Sequence, residues 1–273
     1  MQEVQAIKLP KPKPLSETKK TKVEFYLKDF LPIPKTKVTM ISGAGGMGKS
    51  FLSIQLAIRM IREVPDCKVL LWLSEDTAGE SRERAEKILM RIMGTDQDDV
   101  NMMLRNIDII GSDAEELTPY INDECLEPVK KFFAPYSLVV IDPLIAFFEG
   151  DENSNPMARR FLNILTAISA VNLQSILLVH HHGKKDADGK STMRGASAFR
   201  DAVRVHYEMS YNEKESNPLI TLEKDNVNAG QYLKNKEFSL KILPYDVVVE
   251  EKEQRKKAPL SPTEKLPNPS DIF

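Results

Sequence analysis

The segment Gly43-Ala44-Gly45-Gly46-Met47-Gly48-Lys49-Ser50 constrains this chain more than any other. An apolar run, Val38–Ser42, leads into it, and a helical pattern, Lys49–Arg62, leads out. Its glycines let backbone N–H groups close around an anion with no Cβ in the way. The start of the following helix adds unpaired donors and a partial positive charge. A strand, GxxxxGK[ST] and a helix in that order make a phosphate loop. A glycine-rich turn with an accidental Lys-Ser is the bland alternative, and the flanking strand and helix weigh against it.

The rest of the chain repeats that alternation. Lys68–Leu73 reads as a strand and Glu80–Met93 as a helix, with Ala85, Ile88, Leu89 and Ile92 on one face. Ile107–Ile110 reads as a short strand, Glu115–Phe133 as mostly helical, and Leu138–Ile141 as a buried strand. A helix over Arg159–Val171 and a strand over Ser175–Val179 follow. Short apolar strands alternating with helices predict an α/β fold, a mostly parallel twisted sheet with helices on both faces. Beyond about Asp201 the helical pattern stops. Val203–Met209, Leu219–Glu223, Glu237–Ile242 and Val247–Val249 predict an antiparallel C-terminal extension.

The chain of 273 residues is 41% apolar, enough for a sizeable core. Its formal charge of -2 excludes a polycation, so nucleic-acid contact would need local basic patches. Cys67 and Cys125 suit neither a disulfide framework nor a zinc site, which fits a reducing cytoplasm. There is no membrane-spanning stretch and no apolar leader. Residues 1–22, with six lysines among prolines, read as a disordered basic arm, or one that packs on a neighbouring subunit or touches phosphates. Residues 23–250 read as one domain, and residues 251–273 as a disordered charged, Pro-rich tail.

Chemistry-bearing residues close the apolar strands. Asp142 ends SLVVID, where a carboxylate at the carboxyl edge can hold Mg²⁺. Glu75-Asp76 end another strand: Glu75 is the candidate base for an attacking water, and Asp76 a helix cap or a support for the base. His180-His181-His182 end a third. Adjacent strand residues face opposite ways, so His180 and His182 share one side and His181 takes the other. Three such histidines do not form one chelate. A histidine there can instead sense a terminal phosphate by a hydrogen bond, or be a plain polar strand end.

Taken in order, GAGGMGKS, LLWLSEDTAGESRERAEKI, LVVIDPLIAFFEGDENSNPMARRFLNIL, ILLVHHHGKK, MRGASAFRDAVR and LEKDNVNAG resemble the RepA-type hexameric replicative helicases, within the RecA/DnaB-like group of ring ATPases. The resemblance runs from about Val38 to Gly230. It implies a RecA-like P-loop core that binds ATP with Mg²⁺. Gly43, Ala44, Gly45, Gly46, Met47, Gly48, Lys49, Ser50 and Phe51 would contact the nucleotide, with Ser50 and Asp142 toward the metal. It makes Glu75 the catalytic carboxylate, His181 the γ-phosphate sensor, Arg84 a functional arginine and Arg204 an arginine finger reaching the next subunit's site. Lys224 falls near the implied subunit boundary. Helical spacing alone does not choose between Arg82 and Arg84. Pro143 departs from the Thr or Ser common after the acid, which removes a hydroxyl but not the carboxylate.

The resemblance also places the basic segment Gly183–Arg194 as a channel loop, with Lys184, Lys185, Lys190 and Arg194 tracking phosphates of single-stranded DNA. The acidic loop Glu149–Pro156 would add shape. Neither loop has an aromatic for base stacking, so backbone contact is expected. The implied activity is that of an ATP hydrolase: a DNA helicase or single-strand translocase in replication, assembled as a homohexamer, with a separate primase or replication initiator as a further partner. The alternative is a DNA-binding recombinase or regulatory ATPase that uses ATP as an assembly switch.

Overall fold

The structure is a computed structural model and describes residues 11–93, 97–181, 196–211, 218–233, 236–243 and 246–253. A small antiparallel pair, β1 (Phe25–Tyr26) and β2 (Ile33–Pro34), leads into β3 (Val38–Gly43) and α1 (Lys49–Glu63). Then come β4 (Val69–Leu73), α2 (Ala78–Met93), α3 (Gln97–Leu104), β5 (Ile107–Ile110) and α4 (Leu126–Phe133). β6 (Leu138–Asp142), α5 (Asn155–Asn172), β7 (Ser175–His181) and α6 (Ala196–Ala202) continue the alternation. β8 (Val205–Tyr211), β9 (Pro218–Asp225), β10 (Lys236–Leu243) and β11 (Asp246–Glu253) follow.

One sheet takes nine of these strands, in the order β11-β10-β9-β8-β3-β7-β6-β4-β5. From β5 to β8 every pairing is parallel, and β8 to β11 pair antiparallel. Strands β3, β4 and β6 are buried at every position, which explains why they are written almost wholly in apolar residues. Alternate residues feed two cores. Ile41, Leu71, Val140 and Val179 face one cluster with Leu52, Leu56 and Met60 of α1 and Leu89 of α2. Met40, Leu70, Ile141 and Leu178 face the other, with Phe161, Leu165 and Ile168 of α5 and Phe199 of α6.

The structure corrects several expectations. Residues 113–122 are not helical: only the 3-10 turn Asp123–Cys125 and α4 form within Glu115–Phe133. Pro119 disfavours helix at Thr118, and the Asn122 side chain instead accepts from the amides of Glu124 and Cys125 to start the turn. β8 joins the two parts of the sheet: it pairs antiparallel with β9, as expected, and also parallel with β3, with Thr39 opposite Val205 and Gly43 opposite Met209. α3 and the β1–β2 pair were not expected. α5 begins inside the expected loop, at Asn155, with Pro156 in its first turn where a missing N–H costs nothing. β11 runs to Glu253, past the expected domain end at 250. Residues 11–24 are exposed at every position, and residues 1–10 and 254–273 lie outside the described set.

The close approach of β8 to β3 explains one glycine of the phosphate loop. A Cβ at Gly43 would lie 2.8 Å from the Met209 carbonyl oxygen and 3.0 Å from the Met209 Cβ. Gly43→Ala is expected to lower stability by about 1–3 kcal/mol, since only a backbone shift between central strands relieves the clash. A thermal melt checks this, and an unchanged midpoint would refute the tight-packing reading.

Candidate active site at the carboxyl edge of the sheet

The loop after β3 leaves its backbone open. Gly46 (φ 74°) and Gly48 (φ 81°) take left-handed conformations that strain other residues. A Cβ at Gly45 or Gly46 would meet nothing within 4 Å, so solvent or a ligand can approach the main chain there. Lys49 begins α1 and folds back, donating from Nζ to the Gly43 carbonyl at 3.0 Å and the Ala44 carbonyl at 2.7 Å. It is 3% exposed. Burial pulls its pKa down to about 8, against the opposing pull of Asp142 and Glu75.

Asp142 closes β6 and is 3% exposed. Neither of its carboxylate oxygens has a hydrogen-bond partner of good geometry, although the nearby Ser50 hydroxyl favours the ionised form. Burial pushes its pKa up to about 6, with Ser50 and Lys49 pulling the other way. Glu75, one turn of chain beyond β4, is solvent-facing. His181 ends β7 between the two acids, its Nε2 3.8 Å from Glu75 Oε2 and 4.0 Å from Asp142 Oδ1. Burial, then Lys49, holds the His181 pKa below its ordinary value, so the ring is neutral at neutral pH. His180 turns to the opposite face, 5.6 Å from the Phe199 ring in the aromatic core. The alternation expected for the strand is therefore present, while His182 lies outside the described residues.

Asp76 is not the helix cap. Its carboxylate takes both arms of the Arg84 guanidinium, the Nη2 contact at 3.1 Å, and Arg84 lies 4.9 Å above the Phe51 ring. Thr77 and Glu80 cap α2 instead: the Thr77 amide and hydroxyl donate to the Glu80 carboxylate, and the Glu80 amide donates back to Thr77 Oγ1. This settles which arginine sits at the site, since Arg82 pairs outward with Glu86 and Asn101. The bidentate pair fixes the backbone beside Glu75.

Arg204 is not with the others. It precedes β8, its amide donating to the Val38 carbonyl at the start of β3. Five strand steps, roughly 16 Å, separate it from the level of Gly43. Lys224 lies at that same amino edge and donates to the carbonyls of Arg200 and Asp201, closing the end of α6. Burial, and then the neighbouring cations Arg204, Arg200 and Arg159, hold its pKa down against Asp201. Lys184, Lys185, Lys190 and Arg194 lie outside the described residues.

An AAA domain matches residues 13–187, well over half the chain. The chain belongs to the AAA domain family. No curated protein matches the sequence significantly. Among solved structures, flagellar accessory protein FlaH from Methanocaldococcus jannaschii superposes with a TM-score of 0.55 at 15% identity, covering 80% of this chain and 91% of that one. The RadB recombinase gives 0.50 at 17% identity, over 71% and 83%. The ATPase domain of a third protein gives 0.53 at 13%, over 70% and 78%. These likenesses show the fold: this AAA domain is a RecA-like P-loop core.

The site fits a phosphate-bound magnesium ion. A buried carboxylate with no partner and an adjacent hydroxyl, Asp142 and Ser50, are hard oxygen donors of the kind Mg²⁺ takes, with phosphates and waters filling its octahedron. Among the described residues no three His, Cys, Asp or Glu side chains gather into a protein-only metal cage.

The Asp142 shift carries a pH signature. Its folded pKa, about 6, stands above its ordinary 3.8, so its contribution is most favourable below pH 4 and is lost as pH rises through 6. The buried charge then costs about 3 kcal/mol. Asp142→Asn is expected to stabilise the nucleotide-free protein by roughly 1–3 kcal/mol at pH 8 and by nothing measurable at pH 4. Denaturant unfolding at the two pH values reads the difference, and a destabilised variant at pH 8 would contradict it.

Proposed function

We propose that the protein is an ATP-driven DNA motor, a helicase or single-strand translocase acting in replication as a homohexameric ring. The observation that carries the reading is the meeting of Lys49, Asp142, Glu75 and His181 at one edge of the sheet, beside an open glycine loop. Backbone amides of Gly43–Gly48 and the Lys49 ammonium would hold the phosphates, and Phe51 would flank the loop. Ser50 and Asp142 would hold Mg²⁺, which would supply charge neutralisation on the phosphates. Lys49 gives up its bonds to the Gly43 and Ala44 carbonyls to reach the substrate. Glu75, open to solvent, orients water and takes its proton. His181 holds its Nε2 between the carboxylates, where a neutral imidazole with its proton on Nε2 can donate to the terminal phosphate. Arg84 acts on Glu75 through Asp76, as a positioning residue.

Arg204 lies too far to serve its own site, so its role as a finger requires a neighbouring copy. That requirement is what supports a ring over a monomeric hydrolase. The basic residues Lys184, Lys185, Lys190 and Arg194 are proposed to face DNA in the channel, with a separate primase or initiator recruiting the ring. The working domain would run from residue 23 to the end of β11.

Glu75→Gln is expected to lower kcat by about 10²–10⁴-fold with ATP binding retained, and Lys49→Ala to abolish binding. Single-stranded DNA should stimulate hydrolysis by wild type, and a forked duplex should be unwound. Arg204→Ala should bind ATP yet hydrolyse none, and mixing it with Lys49→Ala should restore part of the activity, because each supplies what the other lacks. No recovery on mixing would remove Arg204 from the neighbour's site. Hydrolysis that DNA stimulates without strand separation would favour the assembly-switch alternative.

A further inference from the structure

An apolar groove of about 370 Å³ lies between the start of α5 and the 121–124 segment, away from the nucleotide loop. Its floor is Ile121, Phe148, Phe161 and Ile164, all nearly buried, and Met157 stands at its mouth 41% exposed. The rim is acidic. Asp123, Glu124 and Glu149 line it, and Asp151 and Glu152 follow directly. From residue 106 to residue 129 the chain has seven carboxylates and no lysine or arginine. Arg160, bound to Asp123, is the cation at the rim.

The same chain contains a segment of opposite character. Residues 11–22 read KPKPLSETKKTK, with five lysines against one glutamate. One large apolar residue stands among them: Leu15, 87% exposed in the single turn Leu15–Glu17. All of residues 11–24 are exposed, and the segment leaves the body beside β1, at the end of the sheet where β3 begins. The groove lies at the other end, beyond β6. Prolines at positions 12 and 14 hold the backbone extended before binding, which lowers the entropy lost on docking.

We propose that residues 11–22 of one copy dock in the acidic groove of a second copy, with Leu15 seated on the apolar floor beside Met157 and the lysines against Glu124, Glu149 and Asp151. Charge complementarity selects the occupant, and the exposure of the whole segment on its own body selects a second copy. The contact adds to the ring reading, since it joins copies through surfaces outside the nucleotide site, but it stands on different residues.

The test uses the protein lacking residues 1–22 and a labelled peptide of residues 9–23. Fluorescence anisotropy should show saturable binding that weakens as salt is raised. Met157→Lys in the protein, or Leu15→Asp in the peptide, should weaken it by about tenfold or more. Both groove positions chosen for substitution, Met157 and Glu149, are at the surface, and ATP binding by each variant reports that the core is folded. By mass photometry, wild type should form a larger particle than the shortened protein, and Glu149→Lys with Met157→Lys in the full chain should match the shortened one. Absence of peptide binding overturns the proposal, as does binding indifferent to Met157→Lys and Leu15→Asp. An unchanged mass after deletion, with the peptide still bound at the groove, would make the occupant the chain's own arm and overturn the second-copy assignment. Failure to unwind DNA, with docking intact, would sink the motor reading and leave this contact standing.

Discussion

Register between parallel strands holds the site together. Gly43 lies opposite His181, and Leu73 opposite Asp142. With β6 between β7 and β4, these pairings bring the phosphate loop, His181, the buried acid and the approach to Glu75 to one level of the sheet. A slip of one residue in any of them would turn His181 or Asp142 to the opposite face, into the wrong core. The strands are specified against such slips because both faces are buried and packed with large aliphatics. Packing that looks merely structural therefore decides where the charges stand.

Those charges are held at a cost. Asp142 has burial without partners, Lys49 has burial with only carbonyls to bond, and His181 sits neutral between two acids. Each group is pushed toward its uncharged form by desolvation, and each is partly restored by another. A polyanion with its divalent cation would answer two of these demands at once: it would give Lys49 anionic oxygens and Asp142 a cation. Burial of these groups thus favours a phosphate-bound metal, and it accords with a buried Asp142 beside an exposed Glu75, the proposed base. A base must exchange its proton with water, whereas a metal ligand need not.

Much of this was legible in the sequence, for a physical reason. Doubly buried strands are written in continuous apolar runs that polar residues close, so the places of Asp142 and Glu75 and the split between His180 and His181 could be read from strand ends alone. Other features depend on partners distant in the chain. Nothing local says that β8 pairs parallel with β3, because direction is set by where α6 returns the chain. The pair Asp76–Arg84 competes with capping for the same carboxylate, and the sequence cannot show that Thr77 and Glu80 already satisfy the helix start. The stretch 113–122 carries helix formers, and Thr118-Pro119 with the Asn122 cap override them.

Geometry also divides labour between the two ends of the sheet. The carboxyl edge concentrates anions with Lys49 and Arg84, while at the amino edge Lys224 has its pKa held down by burial and then by the cations around it, Arg204, Arg200 and Arg159. Like charges are brought together at a cost that isolated surface residues avoid by spreading apart. Lys224 recovers part of that cost by closing α6 through two carbonyls, yet no ion pair is resolved for Arg204 among the described residues. An exposed arginine held on the start of a central strand, with other cations around it and Asp201 as the nearby carboxylate, is open to a further anion. A second copy, presenting its phosphate site, would supply one. Under the proposed ring the two edges would be complementary halves, and the strand length that keeps Arg204 from its own loop would leave it to the neighbour's.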